Sequence, residues 1–312
     1  MQRLSLSVAY IIKNEERFLA RSLASLKNQC EEIVIVDSGS SDSTLSIIES
    51  HQKAGLPIHL YSRTWTDDFS AARNFALHHC HQPWVLFVDG DEILDPSALP
   101  LLEEILQNPS ACDWYSVIQR NYTVDAQIEG VIPIDRPSFL EGDDIPHKLY
   151  FFENAMERLV FRGSERHRQD LRYEGRVHES LVPASEAKKF IGSKVPLILH
   201  HMGRLKTGQK EKVNYYFSLS LQKIQESPKD PAAWIELFIT AADLLLDLEG
   251  QESASALQRR LKHYARVAVL CIDPPWAPRD TNDNGGRGAS HKYQVMTTDE
   301  IAAMALPDRD ER

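Results

Sequence analysis

Cysteine is scarce in this sequence of 312 residues, which holds four cysteines far apart, at Cys30, Cys80, Cys112 and Cys271. None of them belongs to a C-x-x-C pair, which argues against a zinc knuckle or a dithiol redox motif. Isolated cysteines of this kind are typical of free, buried thiols in a reducing cytoplasm. Chemistry based on sulfur is therefore not indicated.

Long apolar runs are also lacking. No stretch approaches the roughly 20 apolar residues that a membrane-spanning helix needs. Lys13, Glu15 and Glu16 interrupt the opening apolar segment early, so we expect no secretory signal. These features predict a cytoplasmic location, and a peripheral position at the inner membrane is compatible with them.

Positive charge is in the minority, since 35 Lys and Arg residues face 45 Asp and Glu residues for a net charge of -10. A chain of this sign has no overall basic field to hold nucleic acid, and we expect no nucleic-acid partner. A phosphorylated ligand would need local partners instead, such as helix N-termini, a metal ion or a few Arg and Lys side chains.

The first ninety residues alternate between short β-branched runs and segments with helical spacing. Strands are predicted at Leu4–Ile12, Glu32–Val36, Ile58–Ser62 and Trp84–Val88, and helices at Glu15–Gln29, Ser43–Lys53 and Ser70–His79. This order predicts the α/β class, with a mostly parallel sheet flanked by helices. Ligands of such sheets bind at the carboxyl ends of the strands.

The remaining residues are expected to extend this sheet and then to become helical. After a predicted helix at Asp95–Asn108, the strand candidates are Trp114–Arg120, Lys148–Phe152 and Ile198–His200. Helices are predicted at Lys210–Gln225, Ala232–Leu248 and Ser253–Cys271, a loose match to a TPR-like helical hairpin. We expect an α/β domain at 1–204, a helical extension at 205–276 that could support a homodimer, and a polar, mobile tail at 277–312.

The most specific motif is Asp89-Gly90-Asp91-Glu92, directly after the apolar run WVLFV. Alternation along a strand would bring the carboxylates of Asp89 and Asp91 to the same side. Two hard oxygen ligands can hold Mg²⁺ or Mn²⁺ and leave positions open for diphosphate oxygens. A surface turn is the plainer explanation, but the position after a buried strand favours a metal site.

A second polar loop, DSGSSDST from Asp37 to Thr44, follows the run EIVIV at the same edge of the predicted sheet. Asp42 or Ser43 can cap the helix that begins there, so a plain capped turn is one explanation. The carboxylates of the neighbouring strand end make binding of a nucleoside the better one.

A third polar segment runs from Thr66 to Asn74 and includes Arg73. Arg73 and Asn74 are predicted in the first turn of a helix, away from its apolar side. An Arg in that position can meet a diphosphate or hold a carboxylate of the DGDE motif. A weak surface ion pair with Asp67 or Asp68 is the alternative.

Four segments taken together resemble glycosyltransferase family 2: AYIIKNEE (9–16), VDSGSSDST (36–44), DFSAARN (68–74) and LFVDGDE (86–92). They are most similar to the branch that includes bacterial lipopolysaccharide-core glucosyltransferases and SunS-like peptide S-glycosyltransferases. The later segments EGRVHE (174–179) and HHMG (200–203) are similar to motifs of the same branch.

The resemblance implies a GT-A fold that takes a UDP-sugar and inverts the anomeric carbon during transfer. The backbone near Tyr10 and the carboxylate of Glu16 would line the nucleoside site, and Asp37 would hydrogen-bond the uracil. Arg73 would lie near the diphosphate, and Asp89 near the ribose.

The metal ion implied by the resemblance is Mg²⁺ or Mn²⁺, bound by Asp91 with Asp89 beside it. His201 is a candidate third ligand or a diphosphate contact, because imidazole also suits manganese. A histidine packed in the core is the alternative for His201.

An inverting transfer needs a carboxylate that takes a proton from the acceptor as it attacks. Glu179 is the candidate base, and its neighbour His178 would position it or bind substrate. A structural salt bridge from Glu179 to Arg172 or Arg176 is the alternative. The rival bases are Asp143 and Asp144.

A locally basic cluster could face an anionic acceptor such as a phosphorylated lipid head group, or could bind the diphosphate, and a solvated loop is the alternative. Its members are Arg158, Arg162, Arg166, His167 and Arg168. The Arg-x-x-Arg-Trp signature of processive synthases is absent, which argues against a polysaccharide synthase.

The leading functional hypothesis is transfer of a hexose from a UDP-sugar to a cell-envelope glycan such as the lipopolysaccharide core. Transfer to a peptide or protein side chain is the alternative within the same branch. A sugar-nucleotide pyrophosphorylase would need a Gly-rich activating loop near the N-terminus, which AYIIKNEE does not provide. A non-catalytic binding module with helical hairpins is disfavoured by the intact Asp37, Asp89 and Asp91.

Overall fold

The computed structural model describes residues 3–107, 112–126, 130–161, 171–177, 179–183, 191–206 and 209–227, together with positions 233, 234, 236, 237, 240 and 241. The chain divides into two compact units. The first comprises residues 1–174 and 179–207, and the second comprises residues 175–178 and 208–312.

The elements of the first unit follow the alternation expected from the sequence and then add further strands. The strands are β1 Leu4–Ile12, β2 Cys30–Asp37, β3 Ile58–Ser62, β4 Trp84–Phe87, β5 Glu92–Leu94, β6 Trp114–Thr123, β7 Ile132–Asp135, β8 Lys148–Phe161, β9 Leu171–Glu174, β10 Ser180–Pro183 and β11 Gly192–His201. The helices are α1 Leu19–Ser25, α2 Thr44–Lys53, α3 Phe69–His79 and α4 Ala98–Gln107, and α5 Gln209–Glu226 belongs to the second unit.

Nine of these strands form one sheet in the order β3-β2-β1-β4-β8-β6-β11-β5, with β7 paired to β8. The strands β3, β2, β1 and β4 are parallel, as the sequence predicts. Beyond them the sheet is mixed, because β8 runs antiparallel to both of its neighbours β4 and β6. The α/β class is confirmed, with a sheet more mixed than the expected one.

The two faces of the sheet are covered by different elements. One face packs apolar residues of β1, β2 and β4 against α1, α2 and α4, including Leu23, Ile48 and Leu102. The other face packs Val34, Val36 and Phe87 against α3 and the β9-β10 hairpin. Both strand faces are therefore buried, which is why β1, β2 and β4 read as continuous apolar runs.

The strands β5, β7, β9 and β10 were not predicted from the sequence, and β8 is longer than the predicted Lys148–Phe152. The middle of β8, Glu153-Asn154-Ala155, is exposed and polar, so the apolar pattern fades halfway along the strand. The helix predicted at Glu15–Gln29 is shorter in the structure, because residues 15–18 form turns before α1 begins at Leu19.

The described part of the second unit contains α5 and a few helical positions after it. Thr240 Oγ1 lies 3.2 Å from Ser220 Oγ on α5, and Trp234 and Leu237 are buried. The rest of the helix predicted at Ala232–Leu248, the helix at Ser253–Cys271 and the tail at 277–312 lie outside the described residues. No helix in the described part of the chain is both long and apolar enough to span a membrane.

Replacing Asp68 with alanine should destabilise the protein, because α3 would lose its N-cap. Asp68 is the N-cap of this helix, and its carboxylate accepts a hydrogen bond from Ala71 N at 2.8 Å. Loss of such a cap costs about 0.5–2 kcal/mol, to be measured as the free energy of unfolding in urea. Ser43→Ala is the matched control, because Ser43 is the N-cap of α2 but makes no capping hydrogen bond through its side chain. Equal losses in the two variants would contradict this assignment.

Candidate functional site

The loops that follow β1, β2 and β4 meet at the carboxyl edge of the sheet. Ile12 of β1 pairs with Asp37 of β2, and Asp37 in turn pairs with Ser62 of β3. On the other side of β1, Val88 N donates to Ala9 O, so the DGDE turn begins beside the same strand. The polar segments chosen from the sequence are therefore neighbours in space.

The loop after β2 is held by the carboxylate of Asp37, which is buried and accepts hydrogen bonds from the backbone N–H groups of Gly39 and Ser40 at 3.0 and 3.2 Å. Gly39 has φ of 93°, a conformation that glycine adopts at little cost. A carboxylate has about four acceptor sites, so these bonds leave Asp37 able to accept from a ligand.

The loop after β1 joins the β2 loop through backbone and side-chain hydrogen bonds. Asn14, with φ of 58°, exchanges bonds with Ser40 and Ser41. Glu16 is exposed, and its carboxylate accepts from Ser43 N at 3.0 Å. The N-terminus of α2 is therefore capped by neighbours, and Asp42 contributes a further bond to Thr44 N at 2.9 Å.

Asp89, the first carboxylate of the DGDE motif, is held by two arginines. Arg158 of β8 donates to both of its oxygens, at 3.1 and 2.6 Å, and Arg73 of α3 donates to Oδ1 at 3.3 Å. Burial raises the pKa of Asp89, but Arg158 and Arg73 more than reverse this and hold the pKa well below its usual range. Asp89 is therefore an ionised counter-ion of two guanidinium groups at neutral pH.

Glu92 closes the turn beneath the motif and is fully buried. One oxygen accepts from Asp89 N at 2.8 Å, and the other accepts from Gln119 Nε2 at 2.6 Å and lies 3.5 Å from Arg158 Nη2. Burial raises the pKa of Glu92, partly offset by Arg158. These contacts fix the turn between β4 and β5 from below.

Asp89 and Asp91 have different partners, which corrects the expectation that strand alternation makes their carboxylates converge. Residues 88–91 form a turn between β4 and β5, closed by a hydrogen bond from Glu92 N to Asp89 O at 2.9 Å. The two-residue period of a strand does not apply within a turn.

Arg73 is buried, and it lies in the second turn of α3, which begins at Phe69. The prediction of a first-turn residue away from the apolar side was wrong. Its guanidinium lies between the rings of Phe87 and Tyr173, at 5.5 and 5.8 Å from their centroids. The helical period could not reveal this, because a buried arginine on an apolar face looks like an interruption of the pattern.

The guanidinium of Arg73 joins Asp89 to Glu179. Its Nε donates to Glu179 Oε1, and its Nη2 donates to Asp89. Its buried Nη1 has no hydrogen-bond partner within the described part of the chain. A buried donor without a partner costs free energy, so Arg73 Nη1 is suited to an anionic oxygen of a ligand.

Asp91 is also buried, and its two oxygens face two different cationic or basic groups. Lys206 Nζ lies 2.7 Å from Oδ2, and His201 Nε2 lies 3.5 Å from Oδ1. Lys206 also donates to Glu15 Oε2. Burial lowers the pKa of Lys206, but Asp91 and Glu15 outweigh it and leave the pKa raised. Asp91 is therefore a buried carboxylate that attracts cations, and in this structure it is paired with the ammonium of Lys206.

Two glycines pack closely against residues of the site and leave no room for a Cβ atom. A Cβ atom on Gly203 would lie 2.5 Å from His201 Nε2 and 3.2 Å from Asp91 Oδ2. A Cβ atom on Gly90 would lie 2.5 Å from Glu15 Cγ. The room beside Asp91 and His201, together with their carboxylate and imidazole donors, fits a divalent cation such as Mn²⁺. Among the described residues, however, no cluster of three or more His, Cys, Asp or Glu side chains is arranged to hold a metal ion.

The two neighbouring histidines of HHMG have separate environments. His201 Nδ1 lies 2.7 Å from Asn121 Oδ1, which leaves Nε2 facing Asp91. His200 is buried between Tyr122 Oη at 2.9 Å and Asp95 Oδ2 at 2.8 Å. His200 is thus a packed histidine of the sheet, whereas His201 faces the site.

The other candidate residues are placed as follows. Tyr10 lies inside β1 with its side chain buried and its hydroxyl 2.9 Å from Ser22 Oγ, so only its backbone could approach a ligand. Asp143 Oδ1 lies 2.9 Å from Arg21 Nη2 on α1, and Asp144 is exposed. His178 lies outside the described residues, as do four members of the basic cluster: Arg162, Arg166, His167 and Arg168.

The partners of Arg158, Arg172 and Arg176 differ from those expected from the sequence. Arg158 was grouped with the basic cluster, but its guanidinium is buried and donates to Asp89 of the DGDE motif. The alternative salt bridges of Glu179 are also wrong, because Arg172 pairs with Glu174 and Arg176 pairs with Glu226.

Glu15, Lys206 and Gln119 were missed as residues of the site. Glu15 and Glu16 are adjacent, and nothing in the spacing tells which of them faces inward. Lys206 follows HHMG by three residues, so a basic residue close to that motif was the available signal. Gln119 belongs to β6. The alternation of side chains along a strand predicts which face of the sheet Gln119 occupies, but it does not predict which residue Gln119 contacts.

The comparisons with known proteins identify the family of this chain. The family model described as glycosyl transferase family 2 matches residues 7–163. The chain belongs to this family, and the resemblance inferred from its motifs is confirmed.

The chain is similar to the lipopolysaccharide core biosynthesis glycosyltransferase LpsC of Rhizobium meliloti (strain 1021), with 32% identity over 240 residues that cover 76% of this chain and 77% of the relative. It is also similar to the SPbeta prophage-derived glycosyltransferase SunS of Bacillus subtilis (strain 168), with 22% identity over 84% of this chain and 54% of the relative. A solved structure of residues 1–349 of S. aureus TarS has 14% identity and a TM-score of 0.44, covering 86% of this chain and 81% of that one.

Replacing Arg158 with methionine should destabilise the fold strongly. Among the described side chains, Asp89 would keep its weaker contact with Arg73, and its charge would remain partly buried, with 27% of the side chain exposed. Breaking a buried ion pair costs about 3–5 kcal/mol, to be measured as the free energy of unfolding in urea near neutral pH. Arg172→Met is the control, because the Arg172–Glu174 pair is about half exposed and such pairs contribute about 0–1 kcal/mol.

The loss in Arg158→Met should shrink on acidification. In the wild-type protein the stabilisation from Asp89 is present above its unfolded-state pKa of about 3.9 and is lost only as the pH falls through the lower folded-state pKa. Without Arg158, Asp89 keeps Arg73 as its counter-ion among the described side chains, so its folded-state pKa is higher than in the wild type and protonation relieves the poorly paired charge at a higher pH. A difference between the two proteins that stays constant from neutral pH to below the unfolded-state pKa of about 3.9 would contradict the assignment.

Proposed function

We propose that this family 2 glycosyltransferase moves a hexose from a UDP-sugar to a cell-envelope glycan such as the lipopolysaccharide core, with inversion at the anomeric carbon. The observation that carries the proposal is the gathering of three groups at the carboxyl edge of the sheet: Asp91, His201 and Arg73 Nη1, which has no hydrogen-bond partner among the described residues. The similarity to a lipopolysaccharide core glycosyltransferase over three quarters of both chains supports the choice of acceptor.

The donor site that we propose uses residues of three loops. Asp37 accepts from the uracil, and the backbone after Tyr10 with Glu16 lines the nucleoside pocket. Asp89 lies near the ribose, and Arg73 donates from Nη1 to a diphosphate oxygen. The loops after β1 and β2 hydrogen-bond each other, which preorganises the nucleoside part of the proposed donor site.

Asp91 and His201 would hold Mg²⁺ or Mn²⁺, whereas both oxygens of Asp89, the further ligand that the sequence suggests, accept hydrogen bonds from Arg158. When bound, the metal ion supplies positive charge that stabilises the departing diphosphate. Gly203 is required in this proposal, because any side chain there would fill the space between His201 and Asp91. In this proposal the side chains that bind the donor and the metal ion, from Tyr10 to His201, belong to the α/β domain at 1–204, and the helical extension at 205–276 follows it.

Glu179 is the proposed general base, with His178 beside it in the sequence. Its carboxylate would take the proton of the acceptor hydroxyl, whose oxygen forms the new bond to the anomeric carbon. The bond from that carbon to the diphosphate breaks, and UDP leaves with the electron pair. The ion pair with Arg73 holds Glu179 next to the proposed diphosphate site, with 11% of its side chain exposed.

A panel of UDP-sugars tests the donor assignment. With Mn²⁺ present, one UDP-sugar should be hydrolysed slowly in the absence of acceptor, and UDP should raise the Tm only when Mn²⁺ is added. Asp91→Ala should lose both effects while its circular dichroism spectrum stays unchanged. A wild-type protein that neither hydrolyses any UDP-sugar nor is stabilised by UDP with Mn²⁺ would refute the proposed function.

Replacing Glu179 with glutamine tests the general base. The amide keeps the size of the side chain but cannot take a proton, so kcat for transfer to a lipopolysaccharide-core acceptor should fall by about 10²–10⁴-fold. The Kd for UDP with Mn²⁺ should change little, which separates loss of the base from loss of the donor site. Arg172→Met is again the control for an ion pair of β9.

Transfer at the wild-type rate in Glu179→Gln would show that another residue is the general base. Transfer to a peptide thiol instead of the glycan would favour the alternative acceptor.

A further inference from the structure

We propose that Lys206 is an internal cation of the metal site: its ammonium group competes with the divalent cation for Asp91 and, once displaced, binds the diphosphate of the donor. The inference rests on the proposed function, because it assigns a role in donor loading. The ammonium group of Lys206 contacts Asp91, the carboxylate that is expected to bind the metal ion, and the motifs alone do not predict this contact.

The competition follows from the distances. Lys206 Nζ lies 2.7 Å from Asp91 Oδ2, and the other oxygen of Asp91 faces His201 Nε2 at 3.5 Å. A divalent cation binds a carboxylate oxygen at about 2.0–2.6 Å. An ammonium and a divalent cation on the same buried carboxylate would repel each other strongly, because the repulsion is weakly screened there. The cation can therefore bind Asp91 fully only after the ammonium has moved.

The side chain of Lys206 is able to move while its backbone stays in place. The backbone is fixed on both sides, because Leu205 O accepts from Arg17 Nη1 at 2.7 Å and Lys206 N donates to Gly203 O at 3.2 Å. The side chain is 22% exposed and carries four rotatable bonds, so the ammonium can leave Asp91 by a change of rotamer.

Glu15 keeps the displaced ammonium close to the site. Its carboxylate accepts from Lys206, and its stem packs against Gly90, where a Cβ atom would lie 2.5 Å from Glu15 Cγ. An ammonium that leaves Asp91 remains attracted by Glu15 and by the negative diphosphate. Lys206 is therefore expected to weaken binding of the metal ion alone and to strengthen binding of the nucleotide with the metal ion.

Replacing Lys206 with methionine tests both effects with opposite signs. Titration calorimetry with Mn²⁺ alone should give a Kd at least about tenfold lower in Lys206→Met than in the wild type. Titration with UDP at saturating Mn²⁺ should give a Kd about tenfold higher. A purely structural role would move both constants in the same direction. Lys53→Met is the matched control, because Lys53 is exposed and pairs only with Glu49 on the surface of α2 among the described residues, and both constants should stay unchanged.

Lys206→Arg keeps the charge and should leave the Mn²⁺ affinity close to that of the wild type. Should Lys206→Met fail to fold, Glu15→Gln/Lys206→Met removes one carboxylate together with the ammonium, and it should bind Mn²⁺ more tightly than Glu15→Gln alone. An unchanged or higher Kd for Mn²⁺ in the methionine variants would overturn the proposal, as would a lack of Mn²⁺ binding in every variant and the wild type. A wild type that binds Mn²⁺ but turns over no UDP-sugar would refute the proposed function and leave the competition for Asp91 measurable.

Discussion

The site depends on the balance of charge at the carboxyl edge of the sheet. Five carboxylates are gathered there: Glu15, Asp89, Asp91, Glu92 and Glu179. Within the described part of the chain, the Arg and Lys side chains that pair with them are Arg73, Arg158 and Lys206. Counted over these described residues, the carboxylates outnumber the cations, so a diphosphate would meet an excess of negative charge. An added divalent cation offsets this excess, which gives a physical reason for a metal ion that does not depend on the motif.

The fold supplies the cations from elements far apart in the sequence. Arg73 comes from α3, which is anchored by its cap at Asp68, and Arg158 comes from β8, which enters the sheet next to β4 and runs against it. Placing β8 there puts a guanidinium directly beneath the turn after β4. Removing charge from this turn would leave Arg158 buried without a partner, so the stability of the sheet and the geometry of the motif are coupled.

The sequence was informative wherever one local pattern decided the outcome. The runs of β1, β2 and β4 are buried on both faces, and their apolar pattern predicted parallel strands and the edge at which Asp37 and Asp89 meet. Contacts between distant segments could not be read in this way. Arg158 looked like part of a basic loop, and Lys206 looked like an ordinary basic residue after HHMG. Their partners depend on the pairing of β8 with β4 and of β11 with β5, which spacing along the chain does not encode.

The two aspartates of the DGDE motif are therefore unequal, although their side chains are chemically identical. Both oxygens of Asp89 are held by Arg158, whose rigid, planar group is itself buried. Asp91 faces an imidazole and an ammonium on a flexible stem, and a glycine keeps the neighbouring space open. Exchange of one cation for another costs less at Asp91, because Lys206 can move without unfolding any strand. An aspartate pair separated by one residue can thus divide its work, with one carboxylate fixing the turn and the other left for an exchangeable cation.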